Sequence, residues 1–392
     1  MRLEELKISD LGRVVTGKTP STKNPAFFDG DYQFVTPSDL DWKTYYCNFT
    51  ERTVSEEAKQ AHNGQFIPAD AVMVTCIGNT IGKCAISSGP CLTNQQINSI
   101  VPYVNHDFRF VYYLLIYNAS IIRGVGIGGG SATPIVNKTT FSRIKLRVPP
   151  RSAWGSIGSI LSAYDDLIEN NWRRIQLLEQ AARLLYKEWF VHLRFPGHEH
   201  VRIKNGVPEG WKKRRLEDVA EITMGQSPKS QYYNEDGIGL PFHQGVTNFG
   251  TRFPSNKTSC TVEKRIAESG DILFSVRAPV GRINITVDRM VIGRGLASIR
   301  SNRGEQNFLF YQLKSHFFKE DMMGGGAIFA AITKKDLHGV ELMTPQRQLV
   351  QIFQEQVTPI DRQIEISHRA IEQLTQARDL LLPRLMNGEI AV

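Results

Sequence analysis

The sequence repeats itself. From Gly128 onward the second half can be laid on the first at a constant offset of 196 residues with no gap, which pairs Gly128, Gly129 and Gly130 with Gly324, Gly325 and Gly326. Lys138 then meets Lys334, Pro149 meets Pro345 and Asp165 meets Asp361. Upstream the match continues with small gaps: "GKTPS" at 17 to 21 answers "GQSPK" at 225 to 229, and "DAVMVTCIGNTIGKCAI" at 70 to 86 answers "DILFSVRAPVGRINI" at 271 to 285. "NQQINSIVP" and "GRGLASIRS" correspond in the same way, as do "FVYYLL" and "FLFYQL". A chain of 392 residues is too long for one ordinary domain. The repeat dictates how it divides, into two related units.

Each copy has two parts. Residues 1–149 and 206–345 carry short β-branched and aromatic runs such as "AVMVTCI", "NSIVPYV", "DILFSV" and "INITV", punctuated by Gly, Pro and Asn. This predicts a mixed α/β domain rich in strands, with one helix before the Gly-rich loop. Residues 150–195 and 346–392 follow prolines and carry apolar residues at heptad spacing, which predicts two long helices, with 196–205 as a linker. One seam runs through Ile168, Asn171, Ile175, Leu178 and Leu185, the other through Ile364, Ser367, Ile371, Leu374 and Leu381. Two such stripes in one chain predict an intramolecular coiled coil, each helix about 60 Å long at 1.5 Å per residue. Asn171 and Ser367 fall at equivalent places, where a buried polar pair would fix register or Ser367 would face solvent. The expected class is α+β, two related domains separated by helical spacers.

Between the parts, "GVGIGGGSATPIV" contains Gly124, Gly126 and Gly129, the spacing that cradles a dinucleotide pyrophosphate. No strand precedes it, a Ser-Ala-Thr-Pro run comes after it instead of a helix, and the second copy, "MMGGGAIFAAITKKD", lacks the spacing. The glycines are expected to form a flexible or tightly turned loop at the domain edge rather than a cofactor site. Cys47, Cys76, Cys84, Cys91 and Cys260 are odd in number and show no CxxC, so buried reduced thiols are expected. His192, His198 and His200 sit beside a Pro-Gly turn without ligand-spaced partners, and no metal is expected there. "MRLEELKISD" has no apolar core and no long apolar run occurs elsewhere, which points to the cytoplasm.

The net charge of +8 favours a polyanionic partner. The copies diverge most in loops, "TPSDLDWKTYYCNF" against "HQGVTNFGTRF" and "NQQINS" against "GRGLAS", where the frame is kept and the polar residues change. Reading two different base sequences would require that, because side chains specify while the scaffold positions. With this two-copy layout, "VPEGWKKRRLEDVAEITMGQSP", "ILSAYDDLIENNWRRIQLLEQAARLLYKEWF" and "TPQRQLVQIFQEQVTPIDRQIEISHRAIEQLTQARDLLLPRLMNGEI", the sequence resembles the DNA specificity subunits of Type I restriction-modification systems over essentially its whole length. The resemblance implies a non-enzymatic chain whose two target recognition domains read a bipartite site on double-stranded DNA. It implies antiparallel helical regions that set the spacing and dock two modification subunits carrying S-adenosylmethionine, with restriction subunits that use ATP and Mg as further partners. The first copy lacks the "PEGW" lead-in, and its helix opens with "PPRSAWGSI" where the family commonly has a Gln-containing start.

Candidate contacts can be named from their chemistry. Arg277, Arg282 and Arg294 suit guanine O6 and N7 or phosphate, whereas Lys83, Asn94, Gln95 and Gln96 occupy the matching segments of the first copy, where amides suit adenine. Lys18, Ser21, Ser227 and Lys229 in the paired G-x-[TS]-P turns suit phosphate. The same residues would equally serve solubility, internal hydrogen bonds or turn chemistry. Two other functions remain open on the sequence alone. One is a coiled-coil scaffold with two ligand-binding heads; the other is a DNA methyltransferase, for which "NPAF" at 24 to 27 lacks the second proline of the amino-methyltransferase tetrapeptide.

Overall fold

The computed structural model describes residues 2–42, 45–128, 134–317 and 331–392. The chain divides into two compact units, Met1–Asn171 with Arg369–Val392, and Trp172–His368. Each unit takes one strand-rich domain and a segment of each long helix.

In the first unit a five-stranded sheet runs in the order Gly12–Thr16, Ile97–Pro102, Val72–Thr75, Cys84–Ser87 and Tyr46–Cys47. A four-stranded sheet holds Arg52–Val54, Phe28–Val35, Cys91–Thr93 and Phe66–Ile67. The second unit repeats the plan: Ala220–Met224, Leu296–Ser301, Ile272–Ser275 and Ile283–Ile285 form the first sheet, and Leu240–His243 and Met290–Ile292 lie at the centre of the other. Even the registers recur. Ile100 stands opposite Val72 in one copy, and Ile299 opposite Ile272 in the other. The strand Val72–Thr75 is buried on both faces, which explains an apolar run without the alternation of a half-exposed strand.

The principal helices are α1 (Phe108–Tyr117), α2 (Ala119–Ile127), α3 (Trp154–Tyr186), α4 (Gln306–Phe317) and α5 (Arg347–Met386). Asp107 caps α1 by accepting from the amides of Arg109 and Phe110, and the run Phe110 to Leu115 is buried throughout. Here the expectation of one helix and then a glycine loop needs correction. The chain breaks at Asn118, whose side-chain amide donates to the Leu114 carbonyl (2.8 Å), and then forms α2, with Gly124 and Gly126 inside it. Gly126 is a packing residue: a Cβ there would lie 2.7 Å from the Ile81 side chain. Gly129 and the second glycine run, Gly324 to Gly326, lie outside the described residues.

Both long helices lie within the expected segments and stop short of their ends. α3 begins at Trp154 rather than Pro150, its indole donating to the Pro149 carbonyl (2.9 Å), and passes through Gly155 and Gly158. It gives way at Lys187–Val191 to one wider turn, in which the His192 amide reaches the Lys187 carbonyl. α5 continues through Pro359 and Pro383. In the first unit Ile157 and Leu161 of α3 share a core with Leu382, Leu385 and Met386 of α5. In the second, Ala182 and Tyr186 share one with Val350, Phe353 and Val357. The start of one helix thus packs with the end of the other in both units, so the two run antiparallel.

Along the seams Ile175, Ile364 and Ile371 are buried, and Ile168, Leu178, Leu185, Leu374 and Leu381 are half-buried. Ser367 is buried and does not face solvent. Asn171 is half-buried and donates to the Leu167 carbonyl of its own helix (2.8 Å). All the cysteines are free and buried; burial pushes the Cys47 thiol up to about 11 and that of Cys76 to about 12, which keeps them protonated.

Candidate nucleic-acid interface

Three loops meet at one end of the first sheet in each copy. In the first they follow Gly12–Thr16, follow Val72–Thr75 and precede Ile97–Pro102; Asn98 stands opposite both Thr16 and Val74, so all three emerge together. Backbone bonds tie them: Gly17 N–H donates to the Ile97 carbonyl (3.2 Å), Lys18 N–H to Thr93 (2.8 Å) and Cys76 N–H to Gln96 (2.8 Å). The second copy repeats the ties, with Gly225 N–H donating to Leu296 (2.9 Å), Gln226 N–H to Ile292 (3.0 Å) and Val276 N–H to Gly295 (2.9 Å). The glycine that opens the first loop is needed for the crossing. A Cβ on Gly17 would lie 2.1 Å from the Thr93 carbonyl oxygen, and one on Gly225 2.1 Å from that of Gly293. The prolines three residues on, Pro20 and Pro228, are buried and anchor the turns.

A side-chain clasp is also repeated. Thr19 Oγ1 donates to Gln95 Oε1 (2.6 Å), while the corresponding Ser227 accepts from the Arg294 amide (3.1 Å) and donates to Gln244 Oε1 (2.7 Å). Every candidate contact therefore lies in or beside the loop cluster of its copy, but the candidates separate by exposure. In the first copy Lys18, Ser21 and Gln95 are exposed. Asn94 is buried and bonds the amide of Gln96, and Lys83 is half-buried with its ammonium donating to the Leu40 carbonyl (2.9 Å). In the second copy Lys229, Arg277, Arg282 and Arg294 are all exposed. The first patch exposes one amide, Gln95, and the second three guanidinium groups.

Sequence reasoning passed over Trp42 and Arg123. Trp42, in the most diverged loop, is exposed, with the Arg123 guanidinium 5.0 Å from its ring centroid, and Arg123 Nε donates to the Ile81 carbonyl beside the loop cluster. A tryptophan in a polar, diverging loop was the available signal. Among the described residues no group of His, Cys, Asp and Glu could hold a metal ion.

Two segments, residues 2–180 and 208–376, match the model of the Type I restriction modification DNA specificity domain. The chain belongs to that family. A putative type I restriction enzyme specificity subunit, MjaX of Methanocaldococcus jannaschii, is 36% identical over 326 residues, 80% of this chain and 76% of the relative. The MjaIX specificity subunit of the same organism is 28% identical across 98% of this chain and 93% of its own. Among solved structures, the type I S subunit from M. genitalium superposes with a TM-score of 0.65 at 15% identity, covering 98% of this chain and 96% of that one, which establishes the shared fold. As a member of the specificity family the chain is the DNA-recognition component of a type I restriction-modification complex, not its catalyst. Neither the scaffold nor the methyltransferase reading is favoured by these matches.

A specificity subunit must also hold each recognition domain firmly to its helices. Each unit does so with a buried ionic cluster that the sequence did not disclose. In the first, Tyr113 and Arg378 both donate to Asp165. In the second, Arg252 pairs with Glu179 (2.8 Å) and Asp361 (2.6 Å), Tyr311 donates to Asp361 (2.6 Å) and Lys314 donates to Glu179 (3.1 Å). Burial pushes the Glu179 carboxyl up, but Arg252 and Lys314 outweigh it and hold the group below the ordinary carboxylate range.

Proposed function

We propose that the two recognition domains read two different halves of one bipartite DNA site, each through its three-loop cluster. The observation that carries this reading is the repeated clasp, in which identical backbone ties present Gln95 in one copy and Arg294 in the other. An amide can bond adenine N6 and N7 and a guanidinium guanine O6 and N7, so the same frame can address different bases. Exposed Lys18, Lys229, Arg277 and Arg282 supply charge for neighbouring phosphates, in keeping with the net charge of +8.

The helical regions, in this proposal, dock two modification subunits that bind S-adenosylmethionine and methylate adenine; restriction subunits supplied with ATP and Mg join for cleavage. Exposed apolar residues on α3 and the turn after it support a docking role: Ile160 and Leu167 in the first unit, and, in the second, Leu177 and Leu184 of α3 and Val191 of the following turn, at seven-residue intervals. The test is the set of methylated motifs in host DNA with and without this gene. Loss of one asymmetric, two-part motif is expected; an unchanged methylation pattern, together with no salt-sensitive DNA binding by the assembled complex, would sink the reading.

A further inference from the structure

The two ionic clusters occupy equivalent places and are built from the same Tyr–Asp pair, Tyr113 with Asp165 and Tyr311 with Asp361. Their cations come from opposite sides. The Ile86 amide donates to the Tyr45 carbonyl (2.9 Å), and the equivalent Ile285 amide donates to the Arg252 carbonyl (2.8 Å), so Arg252 of the second domain stands where the first has Tyr45. Tyr45 is buried and stacks on Tyr113 at 6.0 Å; the Arg252 guanidinium lies 5.5 Å from the Tyr311 ring centroid. By the same repeat Lys314 replaces Ile116, a partly buried member of the first core. On the helices the exchange is reversed. At the offset of 196, Arg378 corresponds to Ala182, which is fully buried, and Thr375 corresponds to Glu179. In the first unit a domain with uncharged Tyr45 and Ile116 at these two places thus meets a helix pair carrying Asp165 and Arg378. In the second a domain carrying Arg252 and Lys314 meets a helix pair carrying Glu179 and Asp361.

We propose that these exchanged charges key each recognition domain to its own pair of helix segments. The first docking place accepts only a domain with an uncharged residue at the Tyr45 position; the second requires a cation at the Arg252 position. The mismatched pairings fail for a simple reason. The first domain on the second helix pair leaves two buried carboxylates without a cation. The second domain on the first helix pair brings Arg252 and Lys314 against buried Asp165, which Arg378 already pairs; the second carboxylate on Arg378, Asp379, is exposed. An uncompensated buried charge is strongly destabilising, whereas a matched pair is close to neutral against an apolar replacement, so the arrangement contributes selectivity more than stability.

The test is a sign change read by thermal unfolding of the full chain, with hydrogen exchange to assign the transition to the second unit. Arg252→Tyr is expected to lower the midpoint by on the order of 10 °C. Adding Lys314→Ile, Glu179→Thr and Ala182→Arg, which transplants the first unit's arrangement, is expected to recover much of that loss, although the same three substitutions lower the midpoint of the parent. If they lower it in both backgrounds, the proposal fails. A second measurement exchanges residues 1–149 and 206–345 in the full chain, with and without Glu179→Thr, Ala182→Arg, Thr375→Glu and Arg378→Ala. Recovery of stability by the four helix substitutions supports the key; an exchanged chain as stable as the parent without them overturns it.

Discussion

Lys83 and Arg282 stand at the same place in the two copies and do different work. Lys83 ties its loop to the Leu40 carbonyl, whereas the Arg282 side chain is exposed and its backbone is what is held, the amide donating to Ser275 Oγ (2.8 Å) and the carbonyl accepting from the Ser275 amide (2.9 Å). Lys83→Met is expected to cost about 1.5–3 kcal/mol in a denaturant titration, the scale of a lost hydrogen bond to a charged group. Arg282→Gln should leave stability within about 0.5 kcal/mol while reducing the slope of log affinity against log salt by about 0.9, the effect of one lost phosphate contact. Both effects on the same property would show that the exposure difference does not separate their roles. At Glu179 the folded carboxyl titrates below its unfolded range near pH 4.3, so its contribution is complete above that range and is lost as pH falls through the folded value. Stability measured from pH 6 to 3 should therefore fall less steeply in Glu179→Gln than in the parent; an equal or steeper fall would contradict the assigned direction.

At the scale of elements, heptad spacing showed both long helices, because burial of one face dictates a period that no other element shares. It did not show where they end. Those limits depend on local bonds such as Trp154 to the Pro149 carbonyl and on the wider turn after Tyr186. The glycines of α2 misled for a related reason: Gly126 is set by close approach to Ile81, a long-range contact that leaves no local mark. The loop cluster was legible in part, since each candidate flanks a strand, but which side chains face outward depended on partners elsewhere in the fold. The ionic clusters were hidden because Tyr45 and Arg252 lie in loops whose sequences do not align; only the bonds to Ile86 and Ile285 reveal their equivalence. The exposed apolar stripe on α3 gives a prediction at this scale. Leu177→Glu with Leu184→Glu removes no buried side chain. The unfolding midpoint should therefore be little changed, while co-purification of the modification subunits drops at least tenfold. Unchanged assembly would move the docking surface elsewhere.

At the scale of the molecule, the repeat places the end of the chain in the unit that contains its beginning. Leu382, Leu385 and Met386 lie in the core formed around α1, Tyr117 donates to Asn387 (2.7 Å), and Arg378 supplies the cation for Asp165. Removing Arg369–Val392 should consequently unfold the first recognition domain and spare the second, although the deletion lies next in sequence to the latter. Each of the three buried apolar side chains is worth about 1.5–3 kcal/mol, and removing the partner of a buried carboxylate about 3–5 kcal/mol more, which together rival the whole stability of an ordinary domain. Hydrogen exchange on the truncated chain is the direct measurement. Loss of protection is expected across Gly12–Thr16, Val72–Thr75 and Ile97–Pro102, with protection retained across Ala220–Met224, Ile272–Ser275 and Leu296–Ser301. The opposite pattern would mean that domains fold in the order of the chain rather than as the two units mark them out. In DNA binding the truncated chain should keep contact with one half-site and lose the other, because the surviving loop cluster is the one presenting Arg294.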